Sequence, residues 1–192
     1  MTFKSLGPST AAFPTPTCVV ATYDKNGRAN AMTAAWGGVA NSTPPSIFVA
    51  IRPDRYTYEN ILAKREFTIC IPSEEYVREA DYFGLESGRE TNKIEASGLT
   101  AVKAEKVNAP YIAEFPMHLE CKLADRMNLG SHFVIIGQIV DVKAREEILD
   151  HKDSIEIQKL KPIIYSPTDR NYYGVGEEIG TAFSIGKEFK KK

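Results

Sequence analysis

The stretch N-A-M-T-A-A-W-G-G-V-A-N-S-T-P-P, residues 30 to 45, holds four alanines, two adjacent glycines and the only tryptophan of the chain. Side chains this small leave backbone N–H and C=O groups open to a flat body lying along a strand end, and paired glycines let it approach closely. Further along, R-P-D-R-Y-T (52 to 57) carries Arg52 and Arg55 out of an apolar run and onto the start of a helix whose first turn contains Thr57. Free amides at a helix start, flanked by arginines, attract an anion, and the dipole alone contributes about 1 kcal/mol. Arg89 and Lys93, in S-G-R-E-T-N-K, add positive charge if that loop folds back. The chemistry implied is a planar heterocycle held beside a phosphate. Plainer readings stand next to it: the alanines allow two β layers to pack closely around Trp36 as a core aromatic, and the arginines form a solvated face.

The elements that must position these residues are mostly strands. T-C-V-V-A-T-Y (17 to 23), the turn D-K-N-G and R-A-N-A-M-T-A (28 to 34) predict a hairpin, since N-G tolerates the positive φ of a tight reversal. Alternation along the second arm puts Asn30, Met32, Ala34 and Trp36 on one side, with Ala31, Thr33 and Ala35 on the other. I-F-V-A-I-R (47 to 52), stopped by Pro53, and F-T-I-C-I (67 to 71) predict two more strands. M-H-L-E-C-K-L-A-D-R (117 to 126) and H-F-V-I-I-G-Q-I-V-D-V (132 to 142) predict a long hairpin with one buried face. Two short helices are expected. One spans 57 to 65, with Thr57 as its cap and two basic residues at its end; the other spans 74 to 84 and stops at Gly84. Many short strands and few helices predict a mainly β (α+β) fold, a closed barrel with peripheral helices. No internal repeat interrupts it, and the tail E-F-K-K-K is expected to be a solvated end.

Composition narrows the function classes. The 192 residues, 43% of them hydrophobic, suit one domain with a sizeable core. With 24 Lys and Arg against 25 Asp and Glu there is no long-range pull on nucleic acid or on an acidic membrane. Cys18, Cys70 and Cys121 form no C-x-x-C pair and read as reduced core thiols of a cytoplasmic protein. Neither a signal peptide nor a run of about 20 apolar residues is expected to take the chain to or through a membrane. His118, His132 and His151 lack metal-ligand spacing, so no metal is expected. G-V-G-E-E-I-G (174 to 180) has the wrong spacing for a dinucleotide fingerprint and sets two glutamates where a pyrophosphate would rest. No G-x-S-x-G elbow, Walker loop or catalytic-thiol signature is present.

A ring beside a phosphate describes flavin mononucleotide. N-A-M-T-A-A-W with S-T-P-P, R-P-D-R-Y-T-Y-E-N-I, E-F-T-I-C-I-P, N-K-I, L-E-C and G-S-H-F-V-I-I-G-Q-I, in this order and spacing, resemble the flavin reductase-like family with an FMN-binding split barrel, and its flavoredoxin branch in particular. The resemblance runs from about Pro16 to Val142, with a weaker extension to Tyr165. It implies a single domain over 1–192, with a core at about 16–165 and a C-terminal extension at 166–192. It also implies that Asn30, Met32 and Thr33 line the flavin and that Trp36 lies against its ring. Thr57 and Lys93 would hold the ribityl phosphate with Arg52 as helper, His132 would face the flavin or an incoming nicotinamide, and Tyr165 would stand near the ring. The family further implies a homodimer with its flavins at the subunit interface. Two functions follow: an NAD(P)H-dependent flavin oxidoreductase, or an electron-transfer protein that trades electrons with a redox partner. A non-catalytic module storing flavin or haem is the third. Where many family members have Ser or Cys, this chain has Gly37, Gly38 and Asn41.

Overall fold

A computed structural model describes residues 1–190. After an exposed N-terminal arm the chain forms β1 (Thr15–Pro16), β2 (Cys18–Tyr23) and β3 (Ala29–Ala34). Gly27 takes φ 82° in the turn between β2 and β3. There Asp24 accepts hydrogen bonds from the backbone N–H groups of Asn26 and Arg28, at 2.8 and 2.9 Å. Then come β4 (Gly37–Ser42), β5 (Pro45–Ile51), α1 (Tyr56–Lys64), β6 (Glu66–Ile71), α2 (Val77–Leu85) and α3 (Lys93–Ala96). A small hairpin, β7 (Ala101–Lys103) and β8 (Pro110–Ile112), precedes the long one, β9 (Met117–Asn128) and β10 (Phe133–Ala144). The chain closes with α4 (Ile157–Leu160), β11 (Ile164–Ser166) and β12 (Asn171–Tyr173).

Seven strands form one sheet in the order β3-β2-β6-β9-β10-β5-β4. Its two margins, β3 and β4, are consecutive in the chain and joined only by Ala35 and Trp36, so the sheet must curl until the margins stand side by side. The fold is the mainly β one expected, and Trp36 sits at the seam where the barrel is not laddered. One core fills the inside: Val20 and Ala34 from one side of the seam meet Val49 and Ile51 from the other, around Phe67, Ile135 and Ile61 of α1. A second core lies outside, where Val19, Ala21 and Ala31 are covered by Ala80 and Phe83 of α2. Burial on both faces explains why β2 is an unbroken apolar run rather than an alternation.

Several local expectations are corrected. Regular alternation ends at Ala34, and the bend at Ala35 and Trp36 turns the indole to the side of Thr33, away from Asn30 and Met32. Gly37 and Gly38 are not open backbone. They pair with Val49 and Phe48 in the sheet, and a side chain at either would press on the Phe48 carbonyl or ring. Thr57 does not cap α1; Arg55 occupies that position without a side-chain cap, and Thr57 is buried in the first turn. Helix α2 passes through Gly84 to Leu85, where Gly84 lies against Thr33. A third sheet of β1, β11 and β12 runs on to Tyr173.

Residues 174 to 180 are exposed and without regular structure. Of the E-F-K-K-K tail, 188 to 190 are exposed and the last two residues lie outside the described ones. The three cysteines are buried and unpaired, and burial pushes the Cys18 and Cys121 thiols up to about 12 and Cys70 up to about 11. Among the described residues, no helix is long and apolar enough to cross a membrane.

Candidate functional site

Strand β3 and helix α2 face each other across two adjoining clefts that share Gly84. The larger encloses about 400 Å³, within the range of small-molecule sites. Its walls include Trp36, Tyr165 and Tyr172, with Thr33 and Ala35 at its base. The Tyr165 and Tyr172 rings stand 5.7 Å apart on neighbouring strands of the third sheet. That sheet is held to α2 by the Tyr172 hydroxyl, which donates to Asp81 at 2.8 Å; burial, then the Asp81 carboxylate, pushes the phenol up in pKa. The Thr33 hydroxyl donates to the Ala80 carbonyl, fixing the helix against the strand. Thr17 also lines this cleft. It is 1% exposed, and its hydroxyl has no hydrogen-bond partner in the protein. Buried hydroxyls are almost always paired, and a polar group of a bound molecule at this wall would satisfy it.

The smaller cleft, about 40 Å³, has room for a compact polar group but not for a ring. Asn30, Met32, Thr57 and Lys93 line it, with Arg55 at its edge. Asn30 donates its side-chain amide to the Thr57 hydroxyl at 2.8 Å, tying β3 to α1. Lys93 is 4% exposed, and its ammonium donates to the carbonyls of Phe83 and Glu86 at 2.7 and 2.9 Å. Its pKa is lowered to about 8, first by burial and then by the Arg55 charge, with Glu86 working in the opposite direction. Two cations and the start of α1 therefore converge on a space of phosphate size. Gly88 closes the wall, and a side chain there would overlap the side-chain amide oxygen of Asn30.

The structure thus brings Thr33, Trp36 and Tyr165 to the larger cleft and Asn30, Met32, Thr57 and Lys93 to the smaller one beside it. Arg52 is part of neither: exposed, it pairs with Asp54 at 3.3 Å, and Arg55 stands at the smaller cleft in its place. Arg89 stacks over Tyr56 and pairs with Glu59 at 2.8 Å, on the far side of that ring. His132 sits in the β9–β10 turn, bonded to Ser131, and does not line either cleft. Thr17, Asp81, Arg170 and Tyr172 are the residues that sequence reasoning missed. None lies in a motif, and only the pairing of β11 with β1 brings the late ones to Trp36.

An aromatic cleft thus adjoins a cationic one at the seam of a split barrel. A family model for the flavin reductase like domain matches residues 10–174, and the chain belongs to that family. Among solved structures it is similar to a flavoredoxin of Desulfovibrio vulgaris (Miyazaki F), with 47% identity and a TM-score of 0.93 over 97% of this chain and 100% of that one. It is also similar to a flavoredoxin from Methanosarcina acetivorans, with 26% identity and a TM-score of 0.89 over 98% and 100% of the two chains. A curated relative, an uncharacterized protein of Archaeoglobus fulgidus, is 33% identical over 143 residues, 74% of this chain and 79% of that one.

Proposed function

We propose that the chain is an FMN-binding oxidoreductase that passes electrons from a donor, NAD(P)H or a redox protein, to an acceptor. One observation carries the reading: the site has an aromatic half with an unpartnered buried hydroxyl, Thr17, and a polar half where Lys93 and Arg55 converge. Trp36 and Tyr165 would hold the ring. Asn30, Thr57 and Lys93 would hold the phosphate, with Met32 and Thr33 between them. The coenzyme, when bound, supplies the electron chemistry; the protein supplies orientation and charge. Family membership and the similarity to two flavoredoxins support this reading.

The 47% identity to a flavoredoxin favours a second reading, an electron carrier without nicotinamide turnover. Anaerobic titration of the FMN-loaded protein with NADH and with NADPH separates the two. Bleaching of the flavin at one equivalent supports the enzyme; an unbleached flavin that dithionite reduces supports the carrier. A protein that takes up no FMN at all contradicts both.

A homodimer working in the cytoplasm completes the proposal. Val39 of β4 and Met127 and Leu129 near the β9–β10 turn are 78%, 57% and 63% exposed, apolar side chains that a partner chain would cover. In that assembly His132, in the same turn, would belong to the interface. Sedimentation of the loaded protein measures the state directly.

A further inference from the structure

Helix α2 meets the larger cleft with Asp81, Gly84 and Leu85. Their spacing of three and four residues puts all three on one helix face, so Asp81 is carried on the side that the cleft touches. Ala80 and Phe83 turn into the outer core instead. The partly buried Asp81 carboxylate accepts from the Tyr172 hydroxyl through Oδ1 at 2.8 Å. Tyr172 is itself a wall of the cleft, standing on β12, so this bond holds the carboxylate at the cleft and keeps it from swinging into water. Asp81 is the one acidic residue of that lining, and among the described residues it forms no ion pair. Arg170, the lining's one cation, lies in the exposed β11–β12 turn and outside ion-pair distance of it.

We infer that Asp81, clamped by Tyr172, sets the electron affinity of the bound coenzyme, disfavouring its reduced form and making the protein a stronger reductant toward its acceptor. A ring that takes up electrons gains negative charge, and a like charge fixed at the wall repels it more strongly in a protein than in water. Electrons enter from the donor and leave to the acceptor as before; the carboxylate changes only how tightly the two forms are held. Tyr172 is the positioning residue. The inference deepens the proposed function and rests on it for the presence of FMN, and it asks for no second molecule in the cleft.

The test is the midpoint potential of FMN-loaded protein, read by anaerobic dithionite titration against an indicator dye, with FMN affinity measured on the same samples. Asp81→Asn keeps a side-chain carbonyl to accept from Tyr172, so β12 stays tied to α2 and charge is what changes. It is expected to shift the preference for oxidised over reduced FMN about tenfold toward the reduced form, a rise of about 30 mV for a two-electron couple. Asp81→Glu keeps the charge and is expected to stay near the wild type, while Tyr172→Phe releases the carboxylate and gives a smaller rise. An unchanged or lower potential in Asp81→Asn, or an equal rise in Asp81→Glu, overturns the inference. Should Asp81→Asn not fold, Tyr172→Phe decides, and an unchanged potential there overturns it. If the wild type takes up no FMN, the proposed function fails and this inference with it. If FMN loads normally and the potential ignores Asp81, the inference alone falls.

Discussion

The side-chain amide of Asn30 donates to the hydroxyl of Thr57 at 2.8 Å, both residues buried and 27 positions apart in sequence. That one bond fastens the strand that floors the groove to the helix whose first turn closes it. Replacing Thr57 by Ala strands a buried amide, which costs about 1–3 kcal/mol. Thr57→Ala is expected to lower the urea midpoint by a matching amount and to weaken FMN binding at least tenfold, while Thr57→Ser restores both. Equal behaviour of the Ala and Ser variants would show that the hydroxyl is not what holds the corner.

Gly88 tests the same corner from the other wall. A Cβ there collides with the side-chain oxygen of Asn30, and that amide cannot move away without leaving Thr57. Gly88→Ala is expected to destabilise by about 1–3 kcal/mol, as overpacking does, and to lower FMN affinity. A spectrally normal, fully loaded Gly88→Ala protein would mean that the wall is softer than its geometry implies.

The buried ammonium of Lys93 makes two opposite pH dependences. Its folded pKa, about 8, lies below the ordinary value of 10.5. At pH above 10.5 the amine is neutral in both states and its contribution to stability is fully present. As pH falls toward 8 the unfolded chain takes up the proton first, so flavin-free protein loses stability across that window. Phosphate binding needs the protonated form, so FMN affinity runs the other way and falls as pH rises through 8. Lys93→Met is expected to bind FMN weakly and to flatten both profiles between pH 7 and 10, measured by thermal melts and flavin titration.

How much of this was readable beforehand depended on whether the signal was local. The hairpin at Asn26-Gly27 and the long β9–β10 pair announce themselves through turn chemistry and alternation. The corner at Arg52–Thr57 was visible as charge at a helix start, but which arginine faces the groove depends on how Pro53 and Asp54 turn the chain, and there Arg55 takes the place expected of Arg52. The side occupied by Trp36 was misread because alternation holds only while the strand lasts, and β3 ends at Ala34. Thr17, Asp81, Arg170 and Tyr172 had no local signature at all. They meet only because a two-residue strand at the N-terminus pairs with β11, a contact spanning most of the chain.

Trp36 distinguishes a coenzyme wall from a core aromatic. It is partly exposed in the cleft and belongs to neither barrel core. Trp36→Ala is expected to cost clearly less than the 3–5 kcal/mol of a buried aromatic and yet to reduce flavin retention at least tenfold. A large loss of stability with normal flavin binding would return the residue to the core.

The measurement that bears most directly on the account is a paired equilibrium titration of flavin-free protein with FMN and with riboflavin, followed through Trp36 emission and flavin absorbance. One FMN per chain is expected, quenching the indole, with riboflavin bound about tenfold or more weakly for want of the phosphate that Lys93 and Thr57 receive. Riboflavin binding as tight as FMN, or no quenching by either, would contradict it.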